Sequence, residues 1–137
     1  MSSSTRPLPS LDEVDTGGFW WATKDQVLNY QRCKSCGTVV WYPRAYPAQC
    51  MDGEIEVLES AGKGTIYSFS VVRQSYHPFF RNLVPYAVAY VDLDEGFRML
   101  TNITGVTDPV AELHIGQTVK LVWEKHDELS IPLFTPA

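Results

Sequence analysis

Long apolar runs are absent from this 137-residue sequence, and none approaches the roughly 20 residues that a bilayer-spanning helix needs. The first residues also lack the charged start and the apolar core of a secretion signal. Cysteine is scarce, and an odd number of three does not suit the disulfide framework of a small secreted protein. We therefore expect a cytoplasmic protein with no membrane association.

Basic residues are too few to balance the acidic ones. The net charge is -5, and residues 54–137 carry the whole deficit, with six basic and eleven acidic side chains. A nucleic-acid-binding protein needs basic surface to replace the counterions of the phosphate backbone. The charge distribution therefore predicts that nucleic acid is not a partner.

Histidine is also infrequent, and the three residues are far apart, at His77, His114 and His126. None of them belongs to a recognisable nucleophile pattern with serine or cysteine. We assign no catalytic residue, and a self-sufficient small esterase or thioesterase is the least favoured function.

The three cysteines follow the spacing of a zinc ribbon that lacks one ligand. Cys33 and Cys36 form a Cys-x-x-Cys knuckle, and thirteen residues separate Cys36 from Cys50. Zinc binds four donors tetrahedrally and accepts thiolate, imidazole or carboxylate oxygen. Gly53 stands where the partner of Cys50 is expected, so another donor completes the site or the metal has been lost. The predicted metal ligands are the three cysteines and Asp52, the nearest carboxylate.

Two other interpretations of the cysteines stay open. Reduced cysteines can pack as small apolar residues without any metal. A single Cys-x-x-Cys motif can also be a redox pair, although no thioredoxin-like alternation of strands and helices follows this one.

Residues 1–25 predict an N-terminal tail and a short helix. The first nine residues have nothing to bury and are typical of a disordered tail. Asp15 or Thr16 can cap the helix, which then contains Phe19, Trp20 and Trp21. Adjacent helical residues point about 100° apart, so these rings cannot share one face. They either pack on the rest of the protein or anchor a partner protein.

Residues 26–53 predict the zinc-ribbon module. Extended segments at residues 26–32 and 38–42 flank the first knuckle and form a hairpin. Arg44 follows in a proline-containing loop, where it forms a structural ion pair or meets an anionic ligand.

Residues 54–137 predict a small β-barrel. Strand patterns occupy most of this segment, and Asp108-Pro109 opens one helical turn before the last two strands. Five strands with such a helix suit a closed OB-fold barrel, because closure removes exposed strand edges. A single-stranded nucleic-acid-binding protein is therefore the alternative function, against which the acidic charge counts.

A long connection in this segment carries an unusual number of rings. It contains Tyr76, His77, Phe79, Phe80 and Arg81, whereas loops are normally small and polar. Exposed aromatic residues in a loop favour contact with a partner or an acyl chain, with the arginine available for a phosphate or carboxylate. The alternative is that the two phenylalanines fold back and plug the mouth of the barrel.

The order of these segments resembles a known family from about residue 12 to residue 134. The matching segments are the Phe-Trp helix, Cys-x-x-Cys-Gly, Tyr-Pro-Arg, the second knuckle, Gly-Lys-Gly-Thr-Ile-Tyr-Ser-Phe-Ser-Val-Val-Arg, Pro-Tyr, Val-Asp-Leu-Asp-Glu-Gly and Ile-Gly. The family is acyl-CoA-associated, joins a rubredoxin-like zinc ribbon to an OB-fold, and is called domain of unknown function thirty-five. This chain departs from it at Gly53, the position of the usual fourth cysteine.

The resemblance implies an accessory subunit with one zinc site. Members of the family accompany thiolase-fold enzymes, including thiolases, synthases and the retro-aldolase of bacterial sterol side-chain breakdown, and some are joined to a MaoC-like hydratase. By this likeness the chain binds a thiolase-fold enzyme in a hetero-oligomer and helps bind or channel its acyl-CoA substrate.

Overall fold

The computed structural model describes residues 6–44 and 53–137, and the predicted mainly β fold is confirmed. The helices are α1 (Gly17–Thr23), α2 (Pro78–Arg81) and α3 (Pro109–Glu112). The strands are β1 (Asn29–Cys33), β2 (Val39–Val40), β3 (Ile55–Glu59), β4 (Lys63–Val72), β5 (Tyr86–Leu93), β6 (Arg98–Ile103), β7 (Thr118–Lys125) and β8 (Ser130–Pro136). None of the helices in these two ranges is long and apolar enough to cross a membrane.

The first sheet is the ribbon, with three antiparallel strands in the order β2-β1-β3. The predicted hairpin is present as the β1–β2 pair. Strand β3 lies in the segment that the sequence grouped with the barrel, yet it pairs with β1 along its whole length, from Ile55 opposite Cys33 to Glu59 opposite Asn29. Its alternating pattern predicts a strand but cannot name the strand that it pairs with. The domain boundary after residue 53 stays a prediction.

The second sheet is a closed five-stranded barrel in the order β4-β5-β6-β8-β7, as predicted. Strand β4 pairs with both β5 and β7, and a register shift between Ile66 and Ser68 lets it bend between these neighbours. Strands β6 and β8 close the barrel through a single parallel pair, Ile103 opposite Phe134. Hydrogen bonds of Thr101 and Thr104 with the carbonyls of Pro132 and Phe134, at 3.2 and 2.7 Å, hold the two strands together around this pair.

The core lies inside the barrel and continues under the ribbon. Strand β5 alternates strictly, with Ala87, Ala89, Val91 and Leu93 buried, as the period of a half-exposed strand requires. Phe97 links the two sheets, because the rings of Tyr30 and Trp41 from the ribbon stack on it with centroids 5.2 and 4.5 Å away. The ribbon and the barrel therefore share one apolar core.

Helix α1 is attached to the barrel by a buried hydrogen bond. Thr16 occupies the N-cap position without a side-chain capping bond. At the other end, Thr23 is fully buried; its Oγ1 donates to the carbonyl of Trp20 at 2.6 Å and accepts from the Ser130 N–H at 3.2 Å. This hydroxyl fixes the end of the aromatic helix against β8.

We expect Thr23→Val to lower the free energy of unfolding by about 1–3 kcal/mol, because the isosteric methyl leaves a buried N–H without its acceptor. Thr23→Ser keeps the hydroxyl and should lose much less. Chemical denaturation of the two variants and the wild type measures the difference. Equal midpoints for the valine and serine variants would contradict a role for the hydrogen bond.

Candidate functional site

The first zinc knuckle is formed as a tight turn at the end of β1. The N–H of Cys33 donates to the Thr38 carbonyl at 2.9 Å, and the N–H of Gly37 donates to the Cys33 carbonyl at 2.8 Å. Gly37 has a φ of 76°, which a residue without a Cβ adopts at little cost. Cys33 is buried, whereas Cys36 is exposed, with its Sγ 3.2 Å from Thr38 Oγ1. Two cysteines on one such turn suit a zinc ribbon.

The second half of the predicted zinc site lies outside the described residues, since Cys50 and Asp52 belong to residues 45–52. The chain is beside the first knuckle again at Glu54, whose carbonyl accepts from the Lys34 N–H at 2.8 Å. Within residues 6–44 and 53–137, no group of three or more histidine, cysteine or acidic side chains is placed to hold a metal. The donors that the structure describes therefore fit half of a zinc site.

The three aromatic residues of α1 have three different surroundings. Phe19 packs on the core, with its ring edge-on to Trp41 at 5.8 Å between centroids. Trp20 is half-buried beside it, at 5.0 Å. Trp21 is 53% exposed, and the Lys24 ammonium lies 4.1 Å from its ring centroid. Only Trp21 therefore presents most of its ring to solvent.

An apolar groove of about 330 Å³ runs between α1, the ribbon and the barrel. It lies beside the parts of β6 and β8 that precede their single pair, and its lining includes Trp20, Trp41, Leu100 and Ile131. The buried Trp41 Nε1 beside it has no hydrogen-bond partner in the described part of the chain. No pattern in the sequence predicts this groove, because the groove depends on the strand pairing of the closed barrel.

The connection between β4 and β5, here called the aromatic loop (residues 75–82), is organised by its own side chains. His77 caps α2, accepting from the Phe79 N–H through Nδ1 at 3.1 Å. The Arg81 guanidinium donates to the carbonyls of Ser75 and Tyr76, at 3.5 and 3.0 Å. Tyr76 is 85% exposed. The side chains of His77 and Arg81 are therefore bonded within the loop, and Tyr76 is presented to solvent.

The two phenylalanines of the aromatic loop lie half-buried on the surface beside β5. Their rings meet edge-on at 5.0 Å, and Phe80 lies 5.8 Å from the ring of Tyr86. The Arg6 guanidinium lies over both rings, 4.8 Å from Phe79 and 5.3 Å from Phe80. Neither ring belongs to the buried core cluster. Their contact with a partner stays a prediction.

Arg6 shows that the prediction of a disordered tail is wrong at this residue. Its Nε lies 2.5 Å from Glu124 Oε1, and its terminal nitrogen lies 3.1 Å from Oε2. His126 Nε2 lies 2.8 Å from the same carboxylate. Burial raises the pKa of Glu124, but the hydrogen bonds and positive charges of Arg6 and His126 outweigh it, so this pKa lies below its ordinary value of 4.5.

We expect the interactions of Glu124 with Arg6 and His126 to stabilise the fold fully above about pH 4.5. This stabilisation should be lost as the pH falls through the lowered pKa of Glu124. The sign follows because the unfolded carboxylate takes up its proton at a higher pH than the folded one. Glu124→Gln removes this titration. Denaturation across an acidic pH series should show the stability gap between wild type and variant shrinking as the pH falls. A gap that does not change with pH would contradict the assignment.

Arg44 and the histidines are the remaining residues that the sequence offers as candidates for binding or catalysis. The Arg44 N–H donates to Gln31 Oε1 at 3.0 Å, and its exposed guanidinium has no carboxylate partner among residues 6–44 and 53–137. Across the same residues, no hydroxyl or thiol forms a hydrogen bond with a histidine ring. The described side chains therefore do not assemble a nucleophile with an adjacent base.

A zinc-ribbon turn joined to a closed five-stranded barrel defines the class of ribbon-plus-OB-fold proteins. Two family models match accordingly: a rubredoxin-like zinc ribbon domain of ChsH2 over residues 20–52, and a C-terminal OB-fold domain of ChsH2 over residues 58–124. A solved structure described as the Ltp2-ChsH2(DUF35) aldolase is similar, with a TM-score of 0.81 and 35% identity, covering 96% of this chain and 98% of that one. The chain belongs to the DUF35 family.

Two curated relatives are named as subunits of acyl-CoA enzymes. The chain is 37% identical over 134 residues to a protein of Thermomonospora curvata named probable enoyl-CoA hydratase alpha subunit, covering 96% of this chain but 40% of that protein. It is 31% identical over 95 residues to the benzoylsuccinyl-CoA thiolase subunit BbsA of Thauera aromatica, covering 65% and 63%. The chain thus spans about two fifths of the length of the first relative.

Proposed function

We propose that this chain is an accessory subunit that binds a thiolase-fold acyl-CoA enzyme and helps bind or channel its acyl-CoA substrate. The observation that carries the proposal is the likeness, over nearly the full length of both chains, to a chain of the Ltp2-ChsH2(DUF35) aldolase. The relative named as a thiolase subunit supports a thiolase-fold partner. The relative named as a hydratase alpha subunit supports a MaoC-like hydratase as a further component of the assembly.

The surfaces proposed to meet the enzyme are the aromatic loop and the exposed side of α1. Tyr76 and Trp21 are exposed rings, and Phe79 and Phe80 lie beside Tyr76 without entering the buried core. A stable interface buries on the order of 800 Å² per partner, and a few aromatic residues dominate its energy. Residues of this kind on the surface of a small barrel suit such a role.

The apolar groove is proposed to receive the acyl part of the substrate. Its volume of about 330 Å³ and its lining of rings and aliphatic side chains suit an apolar ligand. Arg44 is exposed and directly follows Pro43, which lines the groove, and we propose that its guanidinium meets a phosphate of coenzyme A. The proposal thus combines an apolar site for the acyl chain with a cationic residue next in sequence to the groove lining.

A structural zinc ion is proposed for the ribbon, held by Cys33, Cys36 and Cys50, with Asp52 as the fourth donor. The turn that carries the first two cysteines and the match to a zinc ribbon domain support it. A metal ion bound there would stabilise the fold of the ribbon. We propose no role for it in the reaction of the partner enzyme.

Steady-state turnover of acyl-CoA substrates tests the accessory role. The chain alone should show none, whereas its addition to the thiolase-fold enzyme should raise the rate of that enzyme. Turnover by the chain alone would show instead that it is an enzyme in its own right.

A further inference from the structure

We propose that Arg6 is a positioning residue that holds the aromatic loop in its partner-binding conformation. The inference rests on the proposed function, since it explains how the aromatic loop, one of the surfaces proposed to meet the enzyme, is held in position. It comes from one feature of the structure: a single guanidinium near the start of the chain contacts both a barrel carboxylate and the two phenylalanine rings of the loop.

The attachment of Arg6 to the barrel is geometrically specific. Two guanidinium nitrogens meet the two oxygens of Glu124, 118 residues away in sequence, and the Arg6 side chain is only 9% exposed. His126 contacts the same carboxylate and restricts it further. Bidentate pairs of this kind fix orientation as well as distance. The guanidinium therefore has one preferred position on the barrel surface.

The aromatic loop has few other ties to the barrel. Helix α2 has four residues, none of them buried, and such a short helix is not stable by itself. The polar contacts of His77 and Arg81 stay within the loop. Beyond the contact of Phe80 with Tyr86, the described ring contacts that connect these phenylalanines to the rest of the chain come from Arg6. The fixed guanidinium thus sets where both rings lie.

The expected consequence is preorganisation of the docking surface. A ring that is already held in its bound position loses less conformational freedom on binding. Without Arg6 the loop must be ordered by the partner, so binding weakens even though Arg6 need not touch the partner. We expect Arg6→Ala to raise the dissociation constant about tenfold, equivalent to about 1.4 kcal/mol.

Arg98 offers a matched control. It makes the same two-point contact with Asp92, at 2.6 and 3.2 Å, and lies 3.4 Å from the ring centroid of Tyr67. Arg98 begins β6 opposite Asp92, which lies near the far end of β5, six residues beyond Tyr86, or about 20 Å along that strand. Arg98→Ala therefore removes the same kind of interaction at a distance from the aromatic loop.

The contacts of Arg6 with Glu124, Phe79 and Phe80 are here called the clamp. Hydrogen exchange of the full-length chain without a partner tests directly whether this clamp holds the aromatic loop. In Arg6→Ala, the amides of residues 79–82 should exchange at least tenfold faster than in wild type, whereas β5 stays protected. Arg6→Lys keeps the charge but loses the planar two-point contact, so it should resemble the alanine variant. Arg98→Ala should leave the loop amides unchanged. Unchanged loop exchange in both Arg6 variants, with the fold verified by circular dichroism, would overturn the clamp.

Titration of each variant with the thiolase-fold enzyme tests the docking role. A tenfold weaker affinity for Arg6→Ala, with Arg98→Ala equal to wild type, supports it. Equal affinities of wild type and Arg6→Ala would overturn the positioning role and leave the proposed function intact. If wild type does not bind the enzyme at all, the proposed function and the docking role both fail, and the exchange result still decides whether the clamp exists.

Discussion

Replacing Phe79 and Phe80 together by alanine will abolish stable association with the thiolase-fold partner while the chain remains folded. The rings are neighbours on the surface, where Phe79 contacts Arg6 and Phe80 contacts Tyr86. Paired aromatic residues at the centre of an interface contribute about 2 kcal/mol or more each, so we expect at least a hundredfold loss of affinity. The fold should survive because neither ring is part of the buried core.

Size-exclusion chromatography of the mixed proteins measures this loss, alongside circular dichroism of the variant alone. A double variant at exposed apolar positions elsewhere, Val110→Ala with Ile115→Ala, is the matched control and should co-elute like wild type. Normal co-elution of the phenylalanine variant would show that the aromatic loop lies outside the interface.

Replacing Cys36 by alanine will unfold the ribbon sheet, provided that the proposed zinc ion is bound. In metal-dependent modules the free energy of metal binding is also free energy of folding, and it amounts to roughly 10 kcal/mol or more for small zinc domains. We therefore expect loss of zinc and loss of exchange protection in β1, whose last residue is Cys33. The barrel retains its own hydrogen-bonded sheet and should lose less protection.

Ser35→Ala is the control for this substitution, because it changes an exposed residue of the same turn without removing a sulfur. Elemental analysis of protein purified without chelator should give close to one zinc per chain for wild type and for this control. Wild-type protein without zinc, together with a Cys36→Ala variant that keeps β1 protected, would show that apolar packing alone holds the ribbon.

The local sequence contains enough information to predict the barrel strands and the first knuckle. Strand β5 alternates between buried and exposed side chains, so its period is visible without any knowledge of its neighbours. The turn after Cys33 needs a glycine at a positive φ, and Gly37 supplies it. Pro109 begins α3 because its fixed φ and missing N–H suit the first helical position.

Features that depend on distant pairing were not predictable in the same way. Strand β3 has an ordinary alternating pattern, and only the fold shows that it joins the ribbon. The groove follows from the neighbouring positions of α1, β6 and β8, which their sequences do not encode locally. Arg6 lies in a segment rich in serine and proline, and its partner Glu124 is 118 residues away, so no spacing rule connects them. The functional hypothesis came from the resemblance to the DUF35 family and the docking surfaces from their rings in the sequence, whereas the groove and the contacts of Arg6 required the structure.

Purification of the chain from its native host under mild conditions, with mass identification of the proteins bound to it, tests the central proposal most directly. We expect a hetero-oligomer that contains a thiolase-fold acyl-CoA enzyme in a fixed ratio and is far larger than the 15.5 kDa of the chain alone. Recovery of the chain as a free monomer that converts an acyl-CoA substrate by itself would contradict it.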